Sequence, residues 1–113
     1  MGIAGGGGHS LFLKSNGSLW GMGDNSDGQL GDGTSTQRLV PIQIISNGVA
    51  AVAAGYNHSL FIKTNGSLWG MGYNVYGQLG DGTTATRLSP VPIVSNGVVA
   101  IAAGNSIYAF ALE

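Results

Sequence analysis

The sequence predicts an all-β fold built from repeated four-stranded antiparallel sheets, and three observations carry that prediction. The chain repeats itself with a period of 49 residues, from His9 to His58. Asn-Gly pairs punctuate it at regular places. No window sustains a helical spacing of apolar residues, because glycine or proline interrupts every candidate.

The repeat is seen first in His9-Ser10-Leu11-Phe12, which returns as His58-Ser59-Leu60-Phe61. The register then holds without a gap through NGSLWGMG, GQLGDGT and SNGV, and roughly two-thirds of aligned positions are identical. The chain divides as one repeat domain over 1–113, with repeats at 9–57 and 58–106 and a partial copy at 102–113. The N-terminal IAGGGGHSLFL is another copy of that same part.

In the second period the first strand is VAAVAAG (49–55) and the next is HSLFIKT (58–64). A third is SLWGMG (67–72), and the fourth is PVPIVS (90–95), with its prolines at the start, where a missing N–H does least harm. Asn-Gly occurs at 16–17, 47–48, 65–66 and 96–97, each between apolar stretches. Such a pair favours a type I′ hairpin turn, with positive φ at both central residues.

Alternation within the third strand puts Leu68, Gly70 and Gly72 on one face and Trp69 and Met71 on the other. The first strand carries Val or Ala on both faces. Both faces of the sheet are therefore expected to be buried. Radially stacked small sheets, the blades of a β-propeller, meet that requirement.

Composition excludes several functions. The 113 residues include 4 Lys+Arg and 5 Asp+Glu, which removes the clustered positive charge of a nucleic-acid binder or an anionic-membrane binder. No segment reaches the ~20 apolar residues of a membrane span. MGIAGGGGHSLFLK does not read as a secretory signal. There is no cysteine, so disulfides, thiolate metal sites and cysteine nucleophiles are absent. Only 8% of residues are charged and 43% are hydrophobic, so much of the surface is expected to be covered.

The run G-S-L-W-G-M-G-x-N-x-x-G-Q-L-G-D-G-T, followed by a proline-led strand, V-x-x-V/I-A-A-G and H-S-L, resembles the regulator of chromosome condensation repeat. The resemblance spans essentially the whole chain and implies propeller blades of four strands, usually seven to a ring. Met22 and Met71 stand where such repeats commonly carry a second tryptophan. The family's best-known member is a guanine-nucleotide exchange factor that also binds chromatin, but no matching exchange residues or basic segments are found here. Trp20 and Trp69 occupy equivalent strand positions, so packing explains them better than a light-sensing cluster of the kind known in a plant relative.

The loop GDNSDGQLGDGT has the look of a calcium site, and its copy GYNVYGQLGDGT argues against one. Asp24 and Asp27 become Tyr73 and Tyr76, and the first copy has Gln29 where an EF-hand needs glycine and Ser35 where it needs glutamate. What persists reads as architecture. Asn25 and Asn74 suit Asx-type bonds or left-handed backbone, and Asp32 and Asp81 precede Arg38 and Arg87 by six residues, a spacing that suits a clasp. His9 and Ser10 point to opposite faces of a strand, as do His58 and Ser59, so neither pair is a base with its nucleophile, and the histidines read as structural hydrogen-bonders. Gly5 to Gly8 lack the ending of a phosphate loop. No catalytic, metal or cofactor residue is assigned.

Two blades leave an apolar face at each end, and the partial copy is more apolar still, with Ile107, Tyr108 and Leu112 replacing His58, Ser59 and Lys63. Homo-oligomerisation is the expected solution: a trimer of six blades, a tetramer of eight, or a dimer of partial blades. The positions that differ within the loop are Asp24, Ser26 and Asp27 against Tyr73, Val75 and Tyr76. They are the expected contacts for a protein ligand. A scaffold or interaction module is the favoured reading, and two blades of a larger regulatory or exchange-type propeller the alternative.

Overall fold

A computed structural model describes residues 2–103 and the backbone of 108–112. The strands are β1 (Gly2–Gly5), β2 (His9–Leu13), β3 (Leu19–Gly23), β4 (Arg38–Ile45), β5 (Val49–Ala54), β6 (His58–Lys63), β7 (Leu68–Gly72), β8 (Arg87–Val94), β9 (Val98–Ala103) and β10 (Tyr108–Leu112). They form two four-stranded antiparallel sheets, ordered β1-β2-β3-β4 and β5-β6-β7-β8, and a β9-β10 hairpin. There is no helix among the described residues. The N-terminal partial copy thus supplies the first two strands of the first sheet, and β9-β10 repeats those two strands at the other end. The side chains of Ile107, Tyr108 and Leu112 lie outside the described residues.

The register of the second sheet separates its faces. Leu60 pairs with Gly70 and Ile62 with Leu68 on one, and Phe61 pairs with Trp69 and Ser59 with Met71 on the other. The aromatic face packs on the first sheet, where Phe61 and Met71 close a cluster with Leu11, Leu13, Leu19, Leu30 and Val49. The leucine face packs on β9, where Leu60, Ile62, Leu68 and Leu79 meet Val98, with Ile101 and Ala103 packed alongside. Each large apolar side chain removed from water here contributes about 1.5–3 kcal/mol. A blade therefore has two apolar faces of different shape, one aliphatic and one aromatic.

Two expectations are corrected. The Asn-Gly turns are not type I′, because every positive-φ residue among the described residues is glycine. Gly17 N–H donates to Lys14 O and Lys14 N–H to Ser18 O, so Asn16 lies in a type I turn and Gly17 alone adopts the left-handed state, at φ 83°. Asn16 stays right-handed because its Oδ1 is engaged by Ser18 N–H at 3.0 Å and Ser18 Oγ at 2.6 Å. The pairs at 47–48 and 96–97 are not hairpins within a sheet but crossings between units, and Val49 N–H there donates back to Gly17 O. The fourth strand is also longer than its prolines suggested. β8 begins at Arg87, and Pro90 and Pro92 lie inside it, tolerated because β8 is the edge of its sheet.

Gly72 ends β7 at φ 109°, and a Cβ there would lie 2.6 Å from Asn57 O and 2.8 Å from His58 Cα, both backbone atoms. Gly82 has φ 84°, with open space around it. Gly82→Ala is expected to cost about 1–2 kcal/mol, from left-handed strain alone. Gly72→Ala adds a backbone clash and is expected to cost at least about 3 kcal/mol. Urea denaturation of the two variants measures the difference, and equal losses would contradict the close approach.

Candidate functional site

The two long loops, between β3 and β4 and between β7 and β8, lie on the same side of the sheets as the β1–β2 and β5–β6 turns, because antiparallel pairing puts His9 opposite Gly23 and His58 opposite Gly72. Each loop is organised around one buried asparagine. Asn25 is fully buried, its Oδ1 accepts from Leu30 N–H at 3.0 Å, and its Nδ2 donates to Asp32 Oδ1, Thr34 O and Thr36 O. Asn74 does the same with Leu79 N–H, Asp81 Oδ1, Thr83 O and Ala85 O. Neither asparagine is left-handed, so both act through their side chains.

The carboxylates and guanidiniums brace these hubs. Arg38 Nε donates to Asp32 Oδ2 at 2.8 Å and Arg87 Nε to Asp81 Oδ2 at 2.9 Å. The other carboxylate oxygen takes the N–H and hydroxyl of Thr34 or Thr83. Burial alone would raise the Asp81 pKa, but the hydrogen bonds from Thr83, Arg87 and Asn74 outweigh it and hold it at about 2. Asp32 is lowered in the same way.

The differing positions present unlike surfaces. In the first loop Asp24 Oδ1 takes Ser26 N–H at 3.0 Å, which lowers its pKa, and Gln29 Nε2 reaches Asp24 Oδ2 at 3.3 Å. Asp27 is raised by burial and by the charge of Asp24. In the second loop Tyr73 and Tyr76 meet edge to face, with centroids 6.0 Å apart. Tyr76 and Val75 are exposed, as is Tyr56 on the neighbouring turn. One loop offers carboxylates and the other an apolar aromatic patch.

The histidines lie in the seams between sheets. His9 Nε2 is 2.9 Å from Ser59 Oγ, and that hydroxyl donates to Gln29 O at 2.6 Å. Since the single hydroxyl proton is spent on the carbonyl, Nε2–H of His9 is the donor to Ser59. This is not a catalytic dyad: Ser59 is fully buried, its proton is already committed, and His9 Nδ1 has no partner among the described residues. Burial lowers the His9 pKa to about 4 against the opposing charge of Asp24, and burial lowers His58 as well. His58, also expected to be a structural hydrogen-bonder, makes no hydrogen bond at either ring nitrogen among the described residues.

Trp20 and Trp69 repeat one arrangement. Each indole N–H donates to a serine hydroxyl, Ser18 or Ser67, at 2.9 Å. Each ring stacks beside Phe12 or Phe61 and lies under Lys14 Nζ or Lys63 Nζ at 4.0 Å. Among the described residues no group of three or more His, Asp or Glu side chains could hold a metal ion. Sequence reasoning missed the buried Gln29 and Gln78, whose side chains accept the N–H of Asp27 and Tyr76, and it missed the role of Ser59.

Stacked four-stranded antiparallel sheets with braced loops on one side define a β-propeller repeat protein. The profile of the regulator of chromosome condensation (RCC1) repeat matches residues 16–62 and 65–111, a second of the same description matches 2–29 and 49–78, and the chain belongs to that family. The crystal structure of human WBSCR16 superposes with a TM-score of 0.80 at 26% identity, covering 92% of this chain and 29% of that one. Prp20p from Saccharomyces cerevisiae, described with its binding to Gsp1p and histones, gives 0.80 at 22% identity over 93% and 29%. A chain from Kap60 bound to yeast RCC1 (Prp20) gives 0.83 at 22% identity over 96% and 28%. This chain thus spans less than a third of each structure it matches. No curated protein matches the sequence.

Asn74→Ala strands Leu79 N–H and two carbonyls and is expected to cost about 3 kcal/mol or more, whereas Tyr76→Ser, at an exposed side chain, changes stability by no more than about 0.5 kcal/mol. Thermal or urea unfolding of both variants checks this.

Stability is also expected to depend on pH in two steps. His9 is kept neutral in the folded chain, so between pH 6.5 and about 4 the unfolded chain binds a proton that the folded chain refuses. Stability is full above that window and falls by about 3 kcal/mol as pH drops through it. Asp81 continues the fall from pH 3.8 to about 2. A urea-midpoint series shows both steps, and His9→Gln shrinks the upper one without abolishing it, because burial lowers His58 too.

Proposed function

We propose that the chain is a self-assembling propeller unit whose copies close a ring, and that its loop face serves as a protein-interaction surface. One observation carries the assembly. On the second sheet Ser59, Phe61 and Met71 are fully buried, while their repeat equivalents Ser10, Phe12 and Met22 on the first sheet are only half-buried, and Ile3 beside them is 83% exposed. A face built to be covered has nothing on it among the described residues. The interaction surface is supported by the unlike loops, Asp24, Ser26 and Asp27 against Tyr73, Val75 and Tyr76, because tyrosines suit protein contacts. The protein partners named with the similar yeast structures belong to those proteins, and they favour interaction over catalysis as the use of this fold.

Light scattering at tens of micromolar tests the assembly. A trimer of six blades or a tetramer of eight is the expected mass, and a dimer fits the same reading with partial blades joined. A stable monomer overturns it. The second reading, two blades of a larger regulatory propeller, is favoured by the short span relative to the matched structures. Accelerated guanine-nucleotide release from a small GTPase on addition of the chain would support an exchange role for it.

A further inference from the structure

We propose that the leucine face of the second sheet is the seat for the first sheet of another copy, and that the β9-β10 hairpin is its stand-in within a single chain. The inference rests on the assembly reading above and names the surfaces that meet.

The chain contains its own template for this contact. Where the first sheet meets the second, an aliphatic face bearing His9 packs on an aromatic face bearing Ser59, and His9 Nε2, Ser59 Oγ and Gln29 O form a bridge across the seam at 2.9 and 2.6 Å. The unmatched halves of an identical seam remain at the two ends. His58 is fully buried on the leucine face of the second sheet with neither ring nitrogen bonded among the described residues. Ser10 is half-buried on the aromatic face of the first sheet, beside Phe12, Trp20 and a shallow apolar hollow lined by Gly2, Ile3, Phe12 and Leu13. These faces look away from each other along the stack, so a chain cannot join them by itself, but two copies can. Docking brings Ser10 of one copy to His58 of the other, and Gln78, the repeat equivalent of Gln29, offers its carbonyl to the same hydroxyl.

The hairpin is the poorer occupant. It brings two strands where the complete seam has four, and position 108 is tyrosine where the repeat has Ser10 or Ser59. A buried imidazole with no partner among the described residues forfeits desolvation energy that the serine would recover. The competing arrangement keeps β9-β10 in place and recruits β3-β4 of another copy in place of its own β1-β2, and it brings no serine to His58.

Hydrogen exchange on the full chain, at a concentration where sedimentation shows the oligomer, separates the two. The proposal expects amides of β9-β10 to exchange at least tenfold faster than those of β1-β2, and the reverse order overturns it. Phe12→Arg, at a half-buried site, is expected to give a folded monomer, while Ala100→Arg, on the exposed outer face of the hairpin, leaves the mass unchanged. Ser10→Ala is expected to weaken association about tenfold. Dissociation by Ala100→Arg would place the hairpin in the seam and overturn the proposal while the assembly reading stands. A wild-type monomer would overturn both.

Discussion

A four-stranded sheet that is apolar on both faces is stable only between two others, and the rest of this structure follows from that constraint. The second sheet meets it on both sides, with Phe61 and Met71 against the first sheet and Leu60 and Ile62 against β9. Each face is a mould for the opposite face of its neighbour. Glycines at 21 and 70 thin the aliphatic side so that a leucine side chain of the adjoining loop, Leu30 or Leu79, can reach in. The polar part of the seam is small but specific: one imidazole, one hydroxyl and one carbonyl, aligned because consecutive residues of the second strand face opposite ways.

Much of this arrangement was disclosed by the sequence. Alternation correctly divided Leu68 and Gly70 from Trp69 and Met71, and the 49-residue period located every sheet. The same alternation was taken to separate His from Ser, which is true within a strand. It also sends them toward each other across adjacent blades, so His9 finds Ser59 rather than Ser10. The repeated His-Ser pair held that information, and it becomes legible only when the faces are stacked. The turn type was not legible, because Asn-Gly fits two geometries and the choice falls to Ser18, whose N–H and hydroxyl engage Asn16. The start of β8 was hidden by its prolines, which normally mark strand ends but here sit on an edge.

The loops divide the work differently. Asn25, Asp32, Thr34 and Arg38 form a bonded frame that the second repeat copies atom for atom in Asn74, Asp81, Thr83 and Arg87. The frame holds the loop's shape, so a carboxylate at 24 can become a tyrosine at 73 without loss of the loop. Asp24 still caps its own loop through Ser26, so the exchange removes a local bond as well as a charge. Variation at fixed geometry is what an interaction surface on a rigid scaffold requires.

The central claim is that the seam between blades, and not each sheet by itself, holds the structure together. A double-mutant cycle in urea with His9→Ala and Ser59→Ala tests it most directly. The seam account predicts a coupling of about 1–2 kcal/mol between two residues from different sheets. A coupling within about 0.3 kcal/mol of zero would contradict it for the polar bridge, leaving the apolar contacts of Phe61 and Met71 to hold the two sheets together.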